Sequence, residues 1–461
     1  MKKREFLAMG GAVPLMLAGC GGNGSGSAPT RLVNASVGYP TAMGFMDEST
    51  QITTGVLYGT SSSFFNIEAG SVHLTLTTTV GGAETSATAA QLRTVNKDQR
   101  YSLVAYGILD ELRLALVAES NDTPDAGTAS VNVLNTSVDI GAVDVYLSTG
   151  KDLSVSTQIA SSVAASISSP AQSPFATDIQ PGSYYVTVVG AGSVAQGISD
   201  VRFQTPVAIT LTALQVLTII LTPGVSGVLA NAILLTQGTQ GTAVSYVNTT
   251  ARVRAVTAVP GLATSVIGAT AAGAVVTVLP TNSTQKLSNY FVVSTGTAPT
   301  VTVSGTAVPV TMDDSTSTTT PPAQITAALS AGGDYTILVY LDGSNNPTAK
   351  LIEDNNTAPT TAQGVKFRLI NLASDNQGLQ LSMKVNGISV AQNIPYATAS
   401  SYTEVPNVPQ STNSVAEVVN GPLVLTTHTQ VMALDNIFTD IVVSVPTSGA
   451  VLDFFQSASG T

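Results

Sequence analysis

Cysteine is almost absent from this chain of 461 residues: there is one, at position 20, with two histidines and no tryptophan. With a single thiol, no intramolecular disulfide can form, and stability in an oxidising compartment has to come from packing, in domains large enough to bury a core. Charge is also scarce. Lys, Arg, Asp and Glu make up 10% of residues, with 17 basic against 28 acidic side chains. An acidic, Lys-poor chain lacks the clustered cations that neutralise phosphate, which excludes a nucleic-acid binder, and it offers no basic patch to anionic headgroups. Aromatic residues are 5% of the chain, too few for the girdles of an outer-membrane barrel. No His-Glu-x-x-His or clustered Cys/His set is present for zinc, and no Gly-x-Ser-x-Gly elbow for a serine hydrolase. What is plentiful is Val, Ile, Leu, Ala, Thr, Ser and Gly; 44% of residues are hydrophobic, which argues against general disorder.

The basic start Lys2-Lys3-Arg4 precedes an apolar stretch from Phe6 to Ala18 that is too short to span a bilayer. It closes on Leu17-Ala18-Gly19-Cys20, which resembles a bacterial lipobox. The resemblance implies that residues 1–19 are a removed signal peptide and that Cys20 becomes the lipidated first residue of the mature protein. It would then be held in the cell envelope by more than one acyl chain, as stable anchoring requires. Gly21 after the cysteine favours the outer membrane by the same resemblance. Lys3-Arg4-Glu5-Phe6-Leu7 is similar to a twin-arginine export motif, so both export routes stay open. Removing the signal leaves 14 basic and 27 acidic residues, a net charge of −13 in place of −11. Residues 20–29, rich in Gly and Ser, read as a flexible spacer.

Beyond the spacer the chain repeats itself. Arg31-Leu32-Val33-Asn34-Ala35-Ser36 returns as Val131 to Ser137, Arg252 to Ala258 and Phe367 to Ser374. A second motif, Tyr101 to Gly107, returns as Tyr335 to Tyr340, with weaker forms at Leu217 to Leu221 and Phe438 to Val443. Each second motif leads to a short apolar strand and, in the clearest copies, a polar break at Glu119 to Gly127 and Glu353 to Gly364. Four copies at this spacing predict tandem domains over residues 30–126, 127–249, 250–363 and 364–461. Alternation of large apolar with small or polar residues in Val72 to Thr77 and Val207 to Thr212, punctuated by Gly70, Pro181-Gly182 and Pro223-Gly224, predicts short strands. The fold class expected is all-β, a row of Ig-like β-sandwiches after the signal and linker.

The Asn34-Ala35-Ser36 opening, Ala142 to Tyr146, Ile179 to Tyr184 and Asp334-Tyr335-Thr336 resemble domain-of-unknown-function family 4397, which occurs in tandem on bacterial and archaeal surface proteins. The likeness covers residues 30–150 and 330–390. It departs from the pattern at Thr257-Ala258-Val259 in the third copy and lacks a Pro-Gly turn in the fourth. It implies an envelope β domain and supplies no catalytic residues.

Chemistry-bearing motifs are sparse. Gly190-Ala191-Gly192-Ser193-Val194-Ala195 spells a dinucleotide fingerprint, but no long helix or acidic strand end follows, so a hairpin turn is expected. Ser148-Thr149-Gly150-Lys151 and Ser374-Asp375-Asn376 spell two parts of a penicillin-interacting set, two repeats apart and without Lys-Thr-Gly. His73 lies on the polar side of its strand. Asp342 to Asn346, Glu353 to Asn356 and Asn121 to Asp125 carry hard oxygen donors in loops, where such residues usually close turns. Gly261 to Pro280 is free of charge, but Val275 to Val278 is a β-branched run that disfavours a spanning helix.

The function expected is therefore that of a lipid-anchored envelope protein with a structural or adhesive role, not an enzyme, with no catalytic residue, cofactor or metal assigned. Its partners would be the membrane, through Cys20, and an envelope glycan or protein. The alternatives are a carbohydrate- or peptide-binding surface module, in which Tyr39, Tyr58, Tyr106 or Tyr290 stacks on a sugar, and an envelope hydrolase.

Overall fold

A computed structural model describes residues 26–37, 41–80, 83–107, 112–153, 155–166, 169–193, 200–238, 242–269, 275–281, 286–296, 298–312, 328–360, 364–409, 411–432, 436–447 and 450–457. Cys20 and the lipobox residues Leu17, Ala18 and Gly19 lie outside them, as does Tyr39. Among the described residues every regular element but isolated bridges is a β-strand, and no helix is present. The stretch from Gly261 to Pro280 contains two antiparallel strands, Thr264–Ala269 and Val275–Leu279, as its β-branched run requires.

Among the described residues the strands form eight sheets that face one another in four pairs, each around its own apolar core. In the first unit, one sheet has the order Phe65–Glu68, Ser27–Asn34, Tyr101–Tyr106, Arg113–Ala118, and Met43–Asp47 with Gly70–Val80 forms the middle of the other. The opening motif of each repeat pairs in parallel with the second motif: Ser27–Asn34 with Tyr101–Tyr106, Ala129–Asn135 with Val216–Pro223, Thr250–Thr257 with Asp334–Leu341, and Val365–Asn371 with Ile437–Ser444. Equivalent positions can therefore be read from register. Arg31 faces Ser102, Asn132 faces Thr218, Arg254 faces Thr336 and Arg368 faces Thr439.

Recurrence of these two motifs has a packing cause. Strands bearing them are buried along their whole length, as in Tyr101–Tyr106 and Val365–Asn371, whereas Leu381–Val385 in the facing sheet alternates buried and half-buried. A sheet covered on one face shows period two, and a sheet covered on both shows a continuous apolar run. The second cover is the neighbouring unit. Val33, Val104 and Tyr106 pack against Leu134, Ile220 and Ile233, joining units one and two. Val256, Leu338 and Ile352 pack against Ile370, Leu372 and Ile441, joining units three and four. Each fully buried aliphatic side chain contributes about 1.5–3 kcal/mol relative to exposure, so these seams are extensions of the cores.

The asparagine of the opening motif staples each unit internally. Asn34 Nδ2 donates to the Val56 carbonyl, Asn135 Nδ2 to Val163 and Asn371 Nδ2 to Ile394, and in each the Oδ1 accepts the N–H two residues on. In the third unit, where the motif reads Thr257, the hydroxyl pairs with that of Thr264. Tyr101 and Tyr335 open the second motif, and each hydroxyl accepts an N–H five residues upstream, from Asn96 and Ser330.

Candidate functional site

Charged side chains on the strands or at their ends have, among others, two fates here. In the first, they meet across the seams between units. Arg31, fully buried, contacts Glu119 at 2.6 Å and donates to Ser102 Oγ at 3.1 Å and the Thr236 carbonyl at 3.0 Å. Glu119 also accepts the Gly238 N–H at 3.0 Å, so the pair bridges units one and two. Across the seam, Asn132, Thr218 and Gln237 form a neutral chain of hydrogen bonds at the matching register.

Units three and four carry a larger version. Arg252 grips Asp334 through two bonds of 2.8 and 2.6 Å. Asp354 Oδ2 accepts Thr336 Oγ1 at 2.5 Å and the Tyr290 hydroxyl at 2.7 Å, and its Oδ1 meets Arg368 of the fourth unit at 2.5 Å. Tyr290 lies under Arg252 and Arg254, and Tyr402 under Arg368, at 4.5–4.9 Å from ring centroid to guanidinium carbon. Burial alone would raise the Asp354 carboxyl, but Arg254 and Arg368, with the two hydroxyl donors, hold it below the ordinary carboxylate range. Burial raises the Tyr290 phenol well above its usual value, which keeps it a neutral donor. These two centres are structural: their charges pair with one another or lie on tyrosine faces inside the seam.

The polar segment from Glu353 onward, expected as a break, thus continues the strand, and Asp354 and Asn356 enter the seam. Among the loop oxygen donors, Asp342 Oδ1 accepts the N–H groups of Ser344 and Asn346 and closes its own turn. Ser148 Oγ donates to the Gly150 carbonyl, and Asp375 accepts from Ser444 and Val445, which leaves the two halves of the penicillin-type pattern in separate turns. Gly190 ends a strand that returns antiparallel through Val201–Gln204; residues 194–199, with the rest of the dinucleotide-like motif, lie outside the described residues. Tyr58 bonds to Thr222, Tyr106 is buried in the first seam and Tyr290 belongs to the second, so these three of the tyrosines considered for sugar stacking are engaged between or beneath units. His73 is exposed.

The second fate is a cluster that sequence reasoning did not assemble. His428 stands on the edge strand Leu423–Gln430, Asp440 on Ile437–Ser444 and Asp453 on Leu452–Ser457, the edge of the facing sheet. Their ligand atoms lie within 4.8 Å of one another. His428 Nε2 is 3.0 Å from Asp453 Oδ2 and 3.5 Å from Asp440 Oδ2. The Asp440 side chain has no exposure, and neither of its oxygens has a hydrogen-bond partner among the described residues. The carboxylates of Asp440 and Asp453 raise the imidazole pKa to about 10, while burial pushes the Asp440 carboxyl up. The imidazole stacks on Phe455 at 4.7 Å, and Phe455 on Phe438 at 5.0 Å, which fixes the ring plane.

A signal for this cluster was in the chain. By register, Asp440 occupies the position held by Leu103, Ile219 and Ile337 in the other units, and Asp453 the position of Leu114, Ala232 and Ala349, all of them core residues. Two aspartates in columns that are otherwise apolar mark the site, but the columns emerge only once the repeats are aligned by strand pairing. His428 lies on a strand with no apolar pattern to flag it.

A family model described as a domain of unknown function (DUF4397) matches residues 28–146. The match takes in the first unit and runs through the first strand of the second unit into its next, Val143–Ser148. No curated protein matches the chain.

Proposed function

We propose that this is a lipid-anchored, non-catalytic protein of the cell envelope, a stalk of four Ig-like sandwiches with a structural or adhesive role, tethered through Cys20 to the outer membrane. The observation that carries the reading is the pairing of units through doubly covered sheets, with Arg31–Glu119 and the Asp334–Asp354 network sealed inside the seams. Such packing makes two stiff blocks from four small domains, a property of a spacer or scaffold. Contacts then join the blocks: Asn356 N–H donates to the Ser226 carbonyl at 2.8 Å and Ala358 N–H to Asp139. The Ig-like assignment is supported by the tyrosines at positions 101 and 335, which bond back to upstream backbone in the manner of a tyrosine corner. Partners of such a stalk would be an envelope glycan or protein reached through its loops and strand edges.

Cys20→Ala followed by cell fractionation tests the tether. The variant should leave the membrane fraction, since without acyl chains no hydrophobic anchor remains. Retention at the wild-type level overturns the anchor, and hydrolysis of an envelope polymer by the purified chain overturns the non-catalytic reading.

A further inference from the structure

We infer that His428, Asp440 and Asp453 form a binding site for a divalent transition-metal ion of the zinc class, which clasps the two sheets of the fourth unit together.

The unsatisfied carboxylate of Asp440 points to a ligand. An ionised carboxylate out of water costs several kcal/mol unless a cation or hydrogen-bond donors meet it, and Asp440, fully buried, has no hydrogen-bond donor among the described residues and shares its nearest counter-charge, the His428 ring at 3.5 Å, with Asp453. His428 cannot serve both acids. Its Nε2 carries at most one hydrogen, and the Asp453 oxygen at 3.0 Å receives it, which leaves the Asp440 oxygen at 3.5 Å without one. A metal ion removes the conflict, because it accepts a lone pair from all three groups at once. Binding displaces the imidazole proton to solvent, after which two carboxylates balance a double positive charge.

Geometry and donor type agree with this. In a tetrahedral site with bonds of about 2.0–2.1 Å, neighbouring ligand atoms are about 3.3–3.4 Å apart; the two separations from His428 Nε2, 3.0 and 3.5 Å, are close to this, and the ligand atoms of all three residues lie within 4.8 Å of one another, so binding would draw the two carboxylates together. One imidazole nitrogen with two carboxylate oxygens suits zinc, whereas calcium and magnesium prefer shells of oxygen alone. The ring is already held by its stack on Phe455, so little ordering is left for binding to impose. Side chains of His428 and Asp453 are 23% and 11% exposed, which gives the ion a route in and leaves a coordination position for water.

The location suggests a purpose. His428 comes from the outermost strand of one sheet and Asp453 from the outermost strand of the other. An ion there closes the open side of the fourth sandwich, as a disulfide would in a chain with more than one cysteine.

The test uses the untagged full-length chain carrying Cys20→Ala, so that no thiol competes, with Zn²⁺ alone as probe at pH 7.5. Equilibrium dialysis should find one ion per chain, and X-ray absorption on this chain, with its site intact, should find one imidazole nitrogen among oxygen neighbours near 2.0 Å. Asp453→Asn and His428→Gln should each weaken binding at least tenfold, and His73→Gln should change it less than twofold. Binding that survives His428→Gln, that is lost in His73→Gln, or that never reaches one ion per chain overturns the proposal. If either site variant fails to fold, absorption by the intact site decides: an oxygen-only shell overturns it.

Discussion

Replacing Asp354 by asparagine should damage the seam between units three and four more than any loss of one hydrogen bond would. In the native seam, Arg252, Arg254 and Arg368 face Asp334 and Asp354, three positive charges against two negative, with the faces of Tyr290 and Tyr402 offsetting the remainder. Asp354→Asn keeps the shape but raises the net buried charge from +1 to +2. A charge pair about 4 Å apart is worth roughly 4 kcal/mol at an effective dielectric near 20, and breaking one side of a buried pair costs about 3–5 kcal/mol in practice. For a block of this size that corresponds to a fall in melting temperature of about 6–20 °C. The acid limb carries a second signature. Because the folded Asp354 carboxyl lies below its ordinary value, its contribution is fully present above the unfolded pKa of about 3.9 and is lost as pH falls through the lowered folded value. Urea titrations followed by circular dichroism between pH 7 and pH 3 should therefore show wild type losing stability on acidification more steeply than Asp354→Asn. The double variant Asp354→Leu with Arg368→Met restores the net charge to +1 and should recover most of the loss. A single-variant cost under about 1 kcal/mol, or an acid limb parallel to wild type, would refute the electrostatic account of this seam.

Two further substitutions test the internal staples and the joint between blocks. Asn371→Ala removes donors to the Leu379 and Ile394 carbonyls and the acceptor for Ala373 N–H, all at 2.9–3.1 Å, and should cost about 3 kcal/mol in a denaturant titration, since buried groups left unpaired cost about 1–3 kcal/mol each; Asn371→Thr should be milder, as Thr257 fills that position in unit three. Gly227 sits at φ +114° with its Cα so close to Asn356 that a β-carbon would lie 2.0 Å from the Asn356 carbonyl oxygen. Gly227→Ala should therefore part the two blocks while leaving each folded, which small-angle scattering would read as a longer or more variable particle at unchanged circular dichroism.

Much of the architecture was legible in the chain. The period-two segment Val72 to Thr77, the recurrent opening motif and the Tyr101 and Tyr335 strands each correspond to a strand at the stated place, and Val207 to Thr212 holds a shorter one, Ile209–Leu211, because alternation and turn chemistry are local. Glu119 and Asp354 were less legible. Both sit where polarity reads as a solvated break, and both are buried because a second unit lies over them. Arg31, Arg252 and Arg368 were legible only as members of the repeated opening motif, and their partners in the seams explain why they are buried.

By itself, then, the sequence determined the strands, their repetition, the lack of disulfides and the lipobox-like start, since all four depend on residue identity and near-neighbour pattern. Which sheet faces are covered twice, which charges meet in the seams, and the meeting of His428 with Asp440 and Asp453 were decided by tertiary structure alone. Those contacts join residues on strands and sheets that no local spacing relates, and a buried charge becomes intelligible only when its surroundings are in place.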